Sequence, residues 1–269
     1  MTADHITTVA VGRVHIRVVI RPGTSSGPPL VLCNGIGAPH DALKPFVDAV
    51  DPRITVVRFD LPGVGATPRL PVPVPFAALA LLVARMTRRL GHDRFDVLGI
   101  SWGGGLAQQV AFQYPRRCRR VVLVATATGN LMVPAAPRIL ARMATPRRYR
   151  DPSYAEAVAG EIYGGEVRRN PGLAKHLLID ADRPPSPFGY LFQLAAGLGW
   201  TSLPFLPLIR QPTLILAGTD DPIIPLVNAR AMNTLMPHAQ LRTYDDGHLA
   251  IVTRSADLAP VVSEFLLAG

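Results

Sequence analysis

Ser101 is the side chain in this sequence best placed to attack a carbonyl carbon. It is the central residue of Gly99–Gly103, which reads Gly-Ile-Ser-Trp-Gly. The apolar run Phe95–Leu98 precedes this motif, and the helix-like stretch 104–114 follows it. Small residues on both sides let a strand turn sharply into a helix with the serine hydroxyl exposed. The motif therefore predicts a nucleophile at Ser101; the alternative is a glycine-rich turn in which Ser101 only caps a helix.

A general base and an acid follow Ser101 in the chain. Asp220 and Asp221 end one apolar strand pattern, and His248 follows the next. The carboxyl ends of parallel strands share one edge of a sheet, so these residues are expected near Ser101. We predict His248 as the base that takes the serine proton, with an aspartate as its partner. Asp221 directly precedes Pro222–Pro225 and Asp220 is its neighbour, so one of them should face His248 and the other the turn.

Two backbone N–H groups are predicted to bind the oxyanion that forms when the serine attacks. One belongs to Trp102, which follows Ser101 and opens the helix. The other belongs to Ile36, in the loop Asn34–Gly37 after the third strand pattern, where glycines let the backbone approach a substrate. Both groups would converge on one carbonyl oxygen.

Trp200 and His40 are candidates for substrate contact. Trp200 lies in an aromatic-rich part of the chain and could touch an apolar substrate, although a place in a hydrophobic core is the alternative. His40 lies close to the loop after the third strand pattern, although it could simply start a helix.

The elements that would position these residues alternate between short apolar runs and helical stretches. Residues 6–20 read as a hairpin that turns at Gly12. Six further runs follow: 30–33, 54–59, 95–98, 121–124, 213–217 and 240–244. Such runs are typical of parallel strands buried on both faces, so we predict an α/β fold with a mostly parallel eight-stranded sheet. Residues 1–125 and 210–269 would form the core domain, and 126–209 a mostly helical lid inserted after strand six.

The bulk composition narrows the class of protein. The chain has 269 residues, a formal net charge of +9 and a pI near 10.3. Arginine clusters such as 116–120 suggest nucleic acid, but no nucleic-acid-binding motif accompanies them, and we predict no such partner. The histidines and acids lack paired ligand spacing, so we predict neither a metal nor a cofactor.

The same composition bears on localisation. No apolar run is long enough to cross a membrane, and the first residues lack the pattern of a secretion signal. The two cysteines, Cys33 and Cys118, fit a reducing compartment. We therefore expect a cytoplasmic protein. Cys33 is a weak rival nucleophile because it ends a strand pattern instead of occupying a turn.

Seven stretches of the sequence, together with the order serine, acid, histidine, carry a resemblance to a known family. They are Asn34–Ala38, Asp60–Gly65, Gly99–Gly104, Pro146–Tyr149, Ile162–Gly165, Gly197–Ser202 and Asp245–Leu249. The chain resembles the α/β-hydrolase superfamily and, within it, the intracellular medium-chain-length poly(3-hydroxyalkanoate) depolymerases. The resemblance runs from about residue 16 to the C-terminus, and it places the family's nucleophile, acid and base on Ser101, Asp221 and His248.

The resemblance implies hydrolysis of a hydrophobic ester or polyester through an acyl-enzyme, with a polyester granule surface as a candidate partner. A general small-molecule carboxylesterase and a carbon–carbon bond hydrolase would use the same three residues. A non-catalytic ligand-binding protein of the same fold is the alternative from another class.

Overall fold

The computed structural model describes residues 4–173, 177 and 186–268. Its centre is one eight-stranded sheet with the strand order β1-β2-β4-β3-β5-β6-β7-β8. The strands are β1 (His5–Val11), β2 (Val14–Arg21), β3 (Leu30–Cys33), β4 (Val56–Phe59), β5 (Phe95–Ile100), β6 (Cys118–Val124), β7 (Thr213–Gly218) and β8 (Ala239–Tyr244). Strand β2 pairs antiparallel with β1 and β4, and all other pairs are parallel. The predicted fold class is therefore confirmed.

Helices cover both faces of the sheet and its carboxyl edge. They are α1 (Lys44–Ala49), α2 (Phe76–Arg89), α3 (Trp102–Gln113), α4 (Pro137–Met143), α5 (Pro152–Tyr163), α6 (Gly165–Arg169), α7 (Pro187–Gly197), α8 (Leu226–Leu235), α9 (Ala250–Thr253) and α10 (Ser255–Leu267). Short 3-10 helices span His40–Leu43, Pro146–Tyr149 and Leu203–Leu208. None of the described helices is long and apolar enough to cross a membrane.

Alternating side chains of the central strands supply two hydrophobic cores. In β3, Val31 and Cys33 pack with α2, α3 and α8, whereas Leu30 and Leu32 pack with α1 and α10. Every residue of β3, β4, β5 and β7 is buried. These strands are mostly apolar, as expected where helices exclude water from both faces of a sheet.

Helices α4–α7 pack on one another through a third, smaller core. Ile139, Val158 and Tyr190 are buried in it. It also includes Ile36 and Ile223, which lie outside the segment between β6 and β7 that we call the insertion. The insertion thus shares a hydrophobic cluster with the loops at the carboxyl edge of the sheet. The division of the chain into a core domain and a lid stays a prediction.

Strand β6 begins at Cys118, three residues before the predicted run, because the arginine cluster there is used inside the fold. The Arg119 guanidinium donates to both carboxylate oxygens of Asp96, at 2.9 and 2.6 Å, and to the Leu266 carbonyl. Arg117 donates to carbonyl oxygens of the α2–β5 connection. These arginines therefore tie strands to helices, which accounts for part of the basic composition without a nucleic acid.

Candidate active site

Ser101 occupies the turn between β5 and α3 in a conformation that is costly for a residue other than glycine. Its φ is 54° and its ψ is −122°, a strained backbone that costs on the order of 1–3 kcal/mol. The Ser101 N–H donates to the Val124 carbonyl at 2.9 Å, and the Thr126 hydroxyl donates to the Ser101 carbonyl at 2.6 Å. The turn is thus held from strand β6 and the loop after it.

The glycines around Ser101 are required by close backbone packing. A Cβ on Gly99 would lie 2.3 Å from the Gly103 carbonyl oxygen, and one on Gly103 would lie 2.1 Å from the Cys33 carbonyl oxygen. Both distances are far below van der Waals contact. The start of α3 therefore packs directly on the end of β3, which brings the loop after β3 next to the serine.

His248 and Asp221 form a buried pair at the same edge of the sheet. His248 Nδ1 lies 2.8 Å from Asp221 Oδ2, and the two side chains are 4% and 1% exposed. The other carboxylate oxygen, Oδ1, accepts the backbone N–H groups of Ile223 and Ile224, each at 2.9 Å. These bonds fix the carboxylate, and the carboxylate in turn orients the imidazole with Nε2 left for proton transfer.

Asp220, the alternative acid, has different partners. Its carboxylate is 2.7 Å from the Arg168 guanidinium and accepts the Gly165 N–H at 2.7 Å. Its side chain is 38% exposed. Asp220 therefore joins the insertion to β7, while Asp221 faces the histidine.

Ser101 and His248 line the same cavity, although no hydrogen bond between them is among those of the described residues. Tyr163 contacts His248 in two ways. Its carbonyl accepts the His248 backbone N–H at 2.7 Å, and its ring stacks on the imidazole at 6.3 Å between centroids. A hydrogen bond between a serine nucleophile and its histidine base, as predicted for Ser101 and His248, is often long without substrate and shortens in the complex.

The two backbone N–H groups predicted for the oxyanion, those of Ile36 and Trp102, donate to no other described residue. The Tyr149 hydroxyl donates to the Ile36 carbonyl at 2.9 Å and fixes that loop residue. Free N–H groups beside a serine nucleophile are what an oxyanion hole needs.

Gln193 in α7 is a residue of this site that the sequence analysis missed. Its side-chain oxygen accepts the Gly37 N–H at 2.7 Å, and its backbone carbonyl accepts the Trp102 indole N–H at 2.8 Å. One residue of the insertion thus touches both segments that carry the predicted oxyanion donors. No local motif marks Gln193, because its role depends on how α7 packs across the sheet edge.

His40 and Trp200 lie in different surroundings. His40 begins a 3-10 helix, and Asp60 Oδ1 lies 2.8 Å from its backbone nitrogen and 3.0 Å from its ring Nδ1. Among the described residues, those that line the two cavities beside Ser101 do not include His40. Trp200 lines one of these cavities, where its ring contacts Phe76 at 4.7 Å between centroids.

Two cavities meet at Ser101. The larger, of about 480 Å³, is lined mainly by apolar side chains from α3, α4 and α7, including Trp102, and by Trp200 just beyond α7. The smaller, of about 60 Å³, contains His248, Tyr163 and Arg148. We call them the large cavity and the small cavity. An ester bound across Ser101 would place one side of its scissile bond in each.

Other reactive groups in the described part of the chain offer less. Burial raises the pKa of the Cys33 thiol to about 12, which leaves it protonated and unreactive at neutral pH. No group of three or more His, Cys, Asp or Glu residues among those described could hold a metal ion.

Comparison with known proteins defines the class of this chain. The family model of the α/β hydrolase fold matches residues 28–255, and the chain belongs to this family. It is 48% identical over 259 residues, or 96% of its length, to a poly(3-hydroxyalkanoate) depolymerase of Ectopseudomonas oleovorans, of which it covers 91%.

Solved structures support the same fold. A hydrolase from Pseudomonas aeruginosa PA01 has a TM-score of 0.82 at 23% identity, and the match covers 99% of this chain and 100% of the hydrolase. The enol-lactonase of Burkholderia xenovorans LB400 has a TM-score of 0.81 at 22% identity, covering 97% and 100%. At these identities the likeness extends to the fold alone.

The different partners of Asp221 and Asp220 generate a test. Asp221→Asn removes the charge beside His248 Nδ1 and allows the wrong tautomer, so we expect kcat on an ester substrate to fall on the order of 10⁴-fold. Asp220→Asn is the matched control, since it breaks an exposed ion pair worth less than about 1 kcal/mol and keeps an acceptor for Gly165. A comparable loss of kcat in both variants, at equal thermal stability, would contradict the assignment.

Proposed function

We propose that the protein is a serine hydrolase that depolymerises medium-chain poly(3-hydroxyalkanoate) to 3-hydroxy acids. The observation that carries the proposal is the buried His248–Asp221 pair, whose histidine lines one cavity with the strained Ser101, in a chain 48% identical to a poly(3-hydroxyalkanoate) depolymerase. The polymer is a chain of esters, so the proposed chemistry is acyl transfer to serine and then to water.

In the proposed reaction, His248 Nε2 takes the Ser101 proton as Oγ bonds to the ester carbonyl carbon. The N–H groups of Ile36 and Trp102 bind the oxyanion, and Asp221 stabilises the imidazolium. The proton then passes to the leaving oxygen as the carbon–oxygen bond breaks. Water attacks the acyl-enzyme by the same route and releases the acid, so no cofactor is needed.

The large cavity supports an apolar acyl group as the substrate. No charged residue is among the described residues that line it. Burying each methylene of an alkyl chain there contributes about 0.8 kcal/mol. Trp200 forms part of this wall, which supports its predicted role as a substrate contact. The hydrogen bonds between His40 and Asp60 favour a structural role for His40 instead.

We further propose that a polyester granule, met in the cytoplasm, is the surface on which the protein works. Four exposed apolar residues lie along one face of α7 and just beyond its end, and we call them the α7 stripe: Phe188, Leu191, Leu194 and Leu198. Leu194 and Leu198 also line the large cavity. The stripe therefore continues the apolar wall outward, as a surface that feeds a polymer chain to the serine would.

The first test compares wild type with Ser101→Ala on a dispersion of medium-chain poly(3-hydroxyalkanoate) and on soluble p-nitrophenyl octanoate. We expect serine-dependent release of 3-hydroxy acids from the polymer and a loss of at least about 10³-fold in the variant. A fluorophosphonate probe should label wild type only. Activity confined to the soluble ester would support a general carboxylesterase instead, and no labelling would support a ligand-binding protein.

A second test concerns the large cavity. A Cβ on Gly197 would lie 3.6 Å from the Trp102 indole nitrogen, so Gly197→Leu should fill part of this cavity. We expect the ratio of kcat/KM for p-nitrophenyl octanoate to that for the butanoate to fall roughly tenfold, through lost burial of about two methylenes. Ala195→Leu, on an exposed position of the same helix, should leave the ratio unchanged. An unchanged ratio in Gly197→Leu would place the acyl group elsewhere.

A third test concerns the α7 stripe. Leu191 is 48% exposed and lines neither cavity in the described part of the chain, so Leu191→Ser should weaken binding to the polymer surface. We expect several-fold slower hydrolysis of the dispersion and unchanged hydrolysis of p-nitrophenyl octanoate. Leu208→Ser, at an exposed leucine outside the stripe, is the control. Equal effects of the two variants on the dispersion would contradict a docking role for the stripe.

A further inference from the structure

Arg148 is a buried cation whose partners among the described residues are all neutral. The residue is 1% exposed. Its guanidinium donates to the Tyr163 hydroxyl at 2.9 Å, the Thr145 carbonyl at 3.0 Å and the Tyr190 hydroxyl at 3.0 Å. Its central carbon also lies 4.5 Å from the centre of the Tyr149 ring.

No carboxylate of the described residues forms an ion pair with Arg148, unlike the neighbouring Arg147, which pairs with Asp151. Burial raises the pKa of the Tyr163 and Tyr190 phenols, so both remain uncharged. Three hydrogen bonds use three of the five N–H groups of a guanidinium, which leaves two for another acceptor. Because burying a charge without a counter-ion is unfavourable, such a group is a candidate for binding an anion.

The small cavity gives this charge a place in the reaction. Arg148, Ser101 and His248 all line it, whereas the large cavity contains Ser101 but neither His248 nor Arg148. His248 must protonate the leaving oxygen, so the leaving part of the ester lies on the side of the small cavity. The acyl part then lies in the large cavity.

We propose that Arg148 binds a carboxylate in the small cavity, next to the leaving group of the ester. In a 3-hydroxyacyl chain the last unit carries a free carboxylate two carbon atoms beyond the carbon that bears its ester oxygen. A terminal unit in the small cavity would therefore bring its carboxylate close to the leaving oxygen. The small cavity, about 60 Å³ against about 480 Å³, leaves less room for a continuing chain than the large cavity does.

This inference rests on the proposed function and assigns a residue to chain-end recognition within it. The Ser101 Oγ–carbon bond forms, the carbon–oxygen bond to the terminal unit breaks, and His248 passes the serine proton to that oxygen. The terminal unit leaves as a 3-hydroxy acid with its carboxylate unchanged. Water then adds across the acyl–serine bond, and the shortened chain carries a new carboxylate that the same arginine can bind.

The test uses the dimer of 3-hydroxyoctanoate as the free acid and as its methyl ester, which lacks the terminal charge. We expect wild type to cleave the ester between the two units of the free-acid dimer with a kcat/KM on the order of 10-fold higher than that for the same bond of the methyl-ester dimer. This is the difference that a charge-assisted hydrogen bond gives. Arg148→Met should bring the ratio of the two rates to about one, and Arg148→Lys should keep part of it. Arg147→Met, at the exposed neighbouring arginine, should keep the full ratio.

The same carboxylate could come from the released product, and a second arm distinguishes this source. 3-Hydroxyoctanoate should inhibit hydrolysis of the methyl-ester dimer in wild type and in Arg147→Met but not in Arg148→Met. Inhibition without a free-acid preference would assign the site to the product. Equal rates on the two dimers and no inhibition in wild type would overturn the proposal even if Arg148→Met does not fold. Failure to hydrolyse both dimers, the polymer and p-nitrophenyl octanoate would instead contradict the proposed function.

Discussion

The close packing of the start of α3 on the end of β3 is the contact on which the rest of the site depends. Gly103 makes it possible, because any side chain there would collide with the Cys33 and Asn34 carbonyls. The contact forces Ser101 into its positive-φ turn and places the loop carrying Ile36 beside the N-terminus of α3. Two N–H groups that donate to no described residue thus lie beside the Ser101 hydroxyl as a consequence of backbone packing, before His248 and Asp221 are considered. Strain at one residue is stable only because the surrounding sheet determines it so fully.

The insertion completes the site through a few contacts that would be costly to lose. Gln193 bonds the loop after β3 and the indole of Trp102, and Tyr163 holds His248 by its carbonyl and its ring. Gly165 approaches Asp246 so closely that a Cβ would lie 1.9 Å from its carboxylate. The geometry of the histidine and of the predicted oxyanion donors therefore depends on residues of the insertion as well as on the sheet. A change in the insertion is expected to reach the chemistry through these bonds and not only through access to the serine.

Sequence patterns predicted those features of the site that depend on local structure. Glycine geometry determines the strand-to-helix turn at Ser101, and strand periodicity determines the position of His248 after a strand. The parallel sheet then brings these two positions close together. In the sequence, Asp221 differed from Asp220 only by its place directly before a proline-bounded segment. The structure shows the two carboxylates with different partners. Gln193 carried no comparable signal, and Arg148 lay in a stretch that supported the family resemblance without indicating a role. Their surroundings come from the packing of α7 and the Pro146–Tyr149 turn across the sheet edge, which no periodicity in one segment encodes.

The polarity of the two cavities differs in a way that suits the direction of the proposed reaction. The large cavity has no charged residue among its described lining, whereas the small one contains an arginine and the histidine. A neutral acyl ester is stable in apolar surroundings, but hydrolysis of the acyl-enzyme turns it into a carboxylate. Burying that charge without a partner is unfavourable. The new carboxylate is therefore driven out of the large cavity, either to solvent or towards the cation on the other side of Ser101. Cleavage of each ester thus weakens the binding of the acyl product in the place where its precursor bound.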